Sequence, residues 1–175
     1  AVSSKFFQGT DASKVYFFNN DNFTCFDWAT GKEVWQRQEL KSPLNNYILD
    51  DRGIIVTTNQ RGENYGKQSG LMGKAMGGGN KARMYMFDYA TGKQLLQDEI
   101  EVAGNVVGYS YDTEGKKMVI ATASDKGTNK IDIIDLNQGK QAIKKPLKVS
   151  GNIHDIKLVS KGLLYITDEE VNIMD

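Results

Sequence analysis

Apolar residues in this chain fall in short runs broken by polar and glycine-rich turns, and no stretch keeps the 3.6-residue period of an amphipathic helix. Residues 5–8 and 15–18 read as two strands, the second apolar enough to be buried on both faces. A polar turn over 19–22 leads into a strand at 23–26, and the chain returns at 33–37 after Thr30-Gly31. The same order then recurs. Strands are predicted at 46–49, 54–58, 83–87 and 94–97, then at 106–111, 118–123, 131–134 and near 141–147, and last at 153–159, 163–167 and 171–174. The expectation is all-β, with almost no helix, in four antiparallel meanders covering about 3–40, 43–100, 104–148 and 151–175 of a single domain.

The third strand of each meander closes on a repeated turn. Cys25-Phe26-Asp27-Trp28-Ala29-Thr30-Gly31-Lys32-Glu33-Val34-Trp35 is followed by a near copy, Met86-Phe87-Asp88-Tyr89-Ala90-Thr91-Gly92-Lys93. Ile133-Ile134-Asp135-Leu136-Asn137-Gln138-Gly139-Lys140 is looser, and Ile173-Met174-Asp175 opens a fourth copy. Glycine suits the left-handed position that closes such a hairpin, and the aspartate four residues earlier can accept turn N–H groups. The marker aspartates stand 61, 47 and 40 residues apart. Hairpin-bearing repeats of roughly 40–50 residues point to propeller blades. The long first interval requires an insertion, read here as 59–82. With few residues ahead of the first strand, the chain reads as an N-terminal segment of a larger propeller of about seven or eight blades, its last blade incomplete, rather than a closed four-bladed ring.

Composition narrows the picture further. The 22 basic and 22 acidic residues balance, which removes any broad electrostatic case for nucleic acid or an anionic membrane. No apolar run reaches the roughly 18 residues a membrane span requires. The single cysteine excludes an internal disulfide, and 18 glycines against two prolines suit a turn-rich β protein.

The Cys25–Trp35 stretch resembles the repeat of quinoprotein-type, or pyrroloquinoline-quinone-like, β-propellers, with Asp27, Thr30, Gly31, Lys32 and Trp35 in the matching positions. Asp88, Thr91, Gly92 and Lys93 match in the second copy, where Leu96 replaces the tryptophan; in the third, Asp135, Gly139 and Lys140 remain, with Ile143 in the tryptophan position. The resemblance implies that Trp35 packs against the turn of a neighbouring blade as a structural anchor. It further implies a non-enzymatic scaffold for protein–protein interaction, periplasmic or secreted. The other reading is part of a quinone-dependent dehydrogenase or small-ligand-binding propeller with most of its site outside this chain. The adjacent-cysteine ring of the dehydrogenases is impossible with Cys25 alone.

No catalytic, cofactor-binding or metal-ligating set stands out. Asp50-Asp51 and Asp168-Glu169-Glu170 fall at turns, where solvated carboxylates are ordinary. His154 has no nucleophile placed to pair with it, Cys25 sits in an apolar strand as a small hydrophobe, and Asn22-Phe23-Thr24 fits a glycosylation sequon. The insertion is the main departure from the repeat. It carries Leu71, Met72 and Met76 among polar residues, with Lys74 and Lys81 beside them, a composition suited to docking a protein partner. An insertion without a role is the competing reading.

Overall fold

A computed structural model describes residues 4–9, 11–19, 22–38, 40, 44–60, 81–97, 100–112, 114, 116–123, 128–159 and 162–174. The described residues contain strands and turns and no helix. Sheet one is a four-strand meander of β1 (Ser4–Gln8), β2 (Lys14–Asn19), β3 (Asn22–Asp27) and β4 (Glu33–Arg37). Sheet two has the order β5 (Leu44–Leu49), β6 (Ile54–Gln60), β7 (Lys81–Phe87), β8 (Ile100–Ala103). Sheet three runs from β9 (Asn105–Asp112) through β10 (Lys117–Ala123) and β11 (Asn129–Asp135) to β12 (Lys140–Gln141), with β13 (Leu147–Val149) also on β11. Sheet four is β14 (Ile153–Val159), β15 (Gly162–Thr167) and β16 (Val171–Met174).

The chain divides into two compact units, Ala1–Gln60 with Arg83–Glu99, and Arg61–Ala82 with Ile100–Asp175. In the first, Tyr16, Phe18, Phe23, Cys25 and Trp35 of sheet one pack with Ile54, Val56, Tyr85 and Phe87 of sheet two. In the second, Val119, Ala121, Ile131 and Val149 of sheet three pack with Ile156, Leu163 and Tyr165 of sheet four. The apolar runs behave as expected of inner strands: Met118 to Ala121 are all buried, so β10 is covered on both faces.

Two expected strands and the bounds of the insertion differ from the sequence reading. Residues 94–97 were expected as the outer strand of sheet two, but Gln94 makes only an isolated bridge to Phe87, and β8 takes the outer place. The Gln94 side chain accepts the Met86 N–H at 2.9 Å, while the Leu95 N–H donates to the Met86 carbonyl at 2.7 Å, so a side chain replaces one rung of the ladder. The outer strand expected near 141–147 is split into β12 and β13, because Pro146 between them has no N–H to give. The insertion also shrinks, since β6 continues through Gln60 and β7 starts at Lys81; residues 61–80, including Leu71, Met72, Lys74 and Met76, lie outside the described residues.

One buried acid sits within this core. Asp132 on β11 is 1% exposed, and burial pushes its carboxyl above the ordinary value of 3.8, partly offset by the Lys130 charge and by the Gln141 amide donating at 3.0 Å. With the folded value raised, the unfolded chain loses its proton first as pH rises, and stability falls across that interval. Asp132→Asn, which keeps an acceptor for Gln141, is therefore expected to raise the melting temperature at neutral pH. The gain should vanish in acid, below the unfolded value; an equal gain at both extremes would show that charge burial is not the cause.

Candidate functional site

The repeated turns share one backbone design, and the first two share its side-chain bonds as well. Gly31, Gly92 and Gly139 take φ of 66°, 64° and 62°. Asp27 accepts the Thr30 N–H at 2.9 Å and its hydroxyl at 2.7 Å; Asp88 accepts the same pair from Thr91 at 2.8 and 2.7 Å. Asp135 accepts the Asn137 and Gln138 N–H groups at 2.9 and 3.0 Å, but Gln138 stands where the hydroxyl would be. The threonine hydroxyl, then its N–H, holds the Asp27 and Asp88 carboxyls below 3.8.

Trp35 ties the first repeat to the second. It is 8% exposed, its ring edge-on to Phe23 at 5.3 Å and tilted against Tyr16 at 5.9 Å. The indole N–H donates to the Tyr89 carbonyl at 3.0 Å, Arg37 donates from Nε to the Gly92 carbonyl, and Gly92 lies directly under the ring. Tyr89 is anchored in turn, its hydroxyl donating to the Asp50 carbonyl at 2.7 Å. Asp27, Gly31, Trp35, Asp88, Gly92, Asp135 and Gly139 thus form turn closures and a clamp, with no reacting geometry among them.

Asp50 departs from the solvated carboxylate expected of a turn. It is buried, and it accepts the Arg52 N–H at 3.0 Å and Arg52 Nε at 2.9 Å. The hairpin 50–53 folds over its own acid because Arg52 reaches back to neutralise it. Asp168 stays exposed and caps a turn, accepting the Asn152 N–H at 2.6 Å and its amide at 3.0 Å, which lowers its carboxyl's value.

Cys25 is fully buried, and burial raises its thiol. His154 lies exposed on β14. Within the sequon, Phe23 and Thr24 are buried. Lys81 opens β7 and pairs with Glu101 at 2.6 Å, a strand residue with its own partner. Among the described residues no group of three or more His, Cys, Asp or Glu is placed to hold a metal ion, and no helix is long and apolar enough to cross a membrane.

An apolar surface that the sequence pattern did not single out lies on β9. Gly108 approaches Ile156 of β14 and the Ser110 hydroxyl accepts the Leu158 N–H at 2.9 Å, so the alternate residues Val107 and Tyr109 point outward and are exposed. In the sequence the run 106–111 reads as a strand, with nothing to say which of its faces is covered. Only the pleat separates the two faces.

No protein-family profile and no curated protein matches the sequence. Solved structures do match. The chain is similar to the β-propeller domain of Myceliophteria thermophila Cps50 (Swd1), with a TM-score of 0.60 at 10% identity over 96% of this chain and 49% of that one. The fold is that of a β-propeller. A chain of the Mitotic Checkpoint Complex matches at 0.54 and 9% identity, over 94% and 47% of the two chains. The computationally designed Ika4 protein matches at 0.55 and 12%, over 93% and 86%. The chain therefore spans about half the length of the two larger matches, as four antiparallel sheets of a partial propeller.

Proposed function

We propose that this chain belongs to a non-enzymatic, quinoprotein-like propeller of about seven or eight blades that serves as a protein-interaction scaffold in the cell envelope, periplasmic or secreted. The observation that carries the reading is the connection between β6 and β7. These strands neighbour each other in sheet two, where a two-residue hairpin loop would join them, yet the chain between them runs from 61 to 80. Connections of that length in a compact domain are commonly functional. Leu71, Met72 and Met76 give its sequence an adaptable apolar content, with Lys74 among them. The Asp–Thr–Gly turns and the Trp35 clamp support the quinoprotein-like assignment.

Replacing residues 61–80 with an Asn-Gly turn tests the reading. The shortened protein is expected to keep its circular dichroism spectrum and to lose the partner recovered from an envelope extract with the parent. Unchanged recovery would reject the loop as the docking element. Titration with pyrroloquinoline quinone and Ca²⁺ is expected to give no saturable signal; saturable binding would replace the scaffold with the quinone-dependent reading.

A further inference from the structure

Sheets two and three interrupt their outer strand at the same place. Gln94 and Ile100 stand six and twelve residues after Asp88, and Gln141 and Leu147 stand six and twelve after Asp135. The interruption belongs to the repeat, but its charge does not. Positions 97–101 read Gln-Asp-Glu-Ile-Glu, and the equivalent 144–148 read Lys-Lys-Pro-Leu-Lys. The repeat takes either sign here, so the fold itself does not require the lysines.

The basic edge stands uncompensated. Residues 136–154 hold four lysines, Lys140, Lys144, Lys145 and Lys148, and no Asp or Glu. All four are exposed, and among the described residues none pairs with a carboxylate. Asp135 lies opposite Lys140, but its carboxyl accepts the Asn137 and Gln138 N–H groups. Asp132 is buried and holds the Gln141 amide. In sheet two, by contrast, Lys81 pairs with Glu101 at 2.6 Å.

One cross-strand pair carries a cost. Lys148 of β13 lies directly opposite Lys130 of β11, which puts two like charges on one face of the ladder. Such a pair destabilises its sheet. The equivalent residues of sheet two, Arg83 and Glu101, are opposite in sign. A charge that works against its own sheet has its use outside it.

We propose that the outer edge of sheet three, with Lys144, Lys145 and Lys148 exposed and Lys130 opposite Lys148, docks a short acidic segment of a partner protein. Residues 142–145 form a bend between β12 and β13 that holds Lys144 and Lys145, and Ile143 and Leu147 beside them are half-buried. Ammonium groups thus stand in water on an anchored backbone. The chain as a whole is neutral, so an extended anionic surface, a bilayer or a duplex, meets as many acids as lysines. A short acidic segment feels mainly the charges within about 8 Å, the screening length at physiological salt. The site is separate from the 61–80 connection and does not rest on the envelope reading.

Fluorescence anisotropy of a labelled Glu-Gly repeat peptide, titrated with the 175-residue chain, tests it. Saturable binding is expected, weakening as salt is raised. Lys144→Glu/Lys145→Glu should bind at least tenfold more weakly. The control Lys32→Glu/Lys157→Glu makes the same change in net charge at exposed positions elsewhere and should stay within twofold of the parent. Lys148→Glu should also lose binding and yet melt higher than the parent, because opposite charges then face each other across β11 and β13. Unfolding cannot produce that combination. A parent that does not bind overturns the proposal, as does an equal loss in the control, the mark of net charge alone. A Lys148→Glu variant that melts below the parent overturns the like-charge premise. Vesicles of phosphatidylglycerol and phosphatidylcholine are the competing probe. Tighter binding to them than to the peptide, lost in the same lysine variants, would replace the acidic segment with a membrane surface.

Discussion

Trp35→Ala is expected to lower the unfolding free energy by about 3–5 kcal/mol, the cost of removing a large aromatic side chain from a packed core. That is a large share of the roughly 5–15 kcal/mol that stabilises a typical domain. Two losses combine. The ring leaves a cavity among Tyr16, Phe23 and Gly92, and the Tyr89 carbonyl loses the indole N–H that reaches it at 3.0 Å. The measurement is a urea titration followed by far-ultraviolet circular dichroism. Emission is the weaker probe, because the remaining Trp28 is 65% exposed in the folded protein and its surroundings change little on unfolding. A midpoint equal to the parent's would show that the clamp contributes nothing to stability.

Gly92→Ala should be costly for two reasons that a companion variant separates. Gly31 and Gly92 have nearly the same positive φ, 66° and 64°, so alanine pays the same left-handed penalty at both, about 1–2 kcal/mol. Their surroundings differ. A Cβ at Gly31 meets nothing within 4 Å, whereas one at Gly92 would lie 2.5 Å from Trp35 Cδ2. Overpacking of this kind adds roughly 1–3 kcal/mol. Gly31→Ala is therefore expected to lose about 1–2 kcal/mol and Gly92→Ala about 2–5 kcal/mol. The excess should disappear in a Trp35→Ala background, where the ring that collides with the new methyl is gone. Equal losses at the two glycines would show that Trp35 moves aside freely.

The turns and the clamp were legible because their signals are local. Asp27, Thr30 and Gly31 close a hairpin through bonds spanning four residues or fewer, and any chain with those side chains in that order can make them. The alternating and continuous apolar runs likewise marked the strands, and their spacing marked the repeat. Asp50 was not legible, since its burial depends on Arg52 folding back and on Tyr89 arriving from 39 residues away. Nor was the split outer edge of sheet three, or the Gln94 side chain taking a backbone rung in sheet two.

The same division runs through the exposed surfaces. Local order in the chain specified hairpins, their register and the faces that carry apolar side chains, because backbone pleat and turn chemistry act over a few residues. Which of those faces found a partner was a matter of sheet packing. On β9, Gly108 and Ser110 meet β14 while their neighbours Val107 and Tyr109 are exposed. Composition cannot separate the two faces; only the packing of β14 against one of them does.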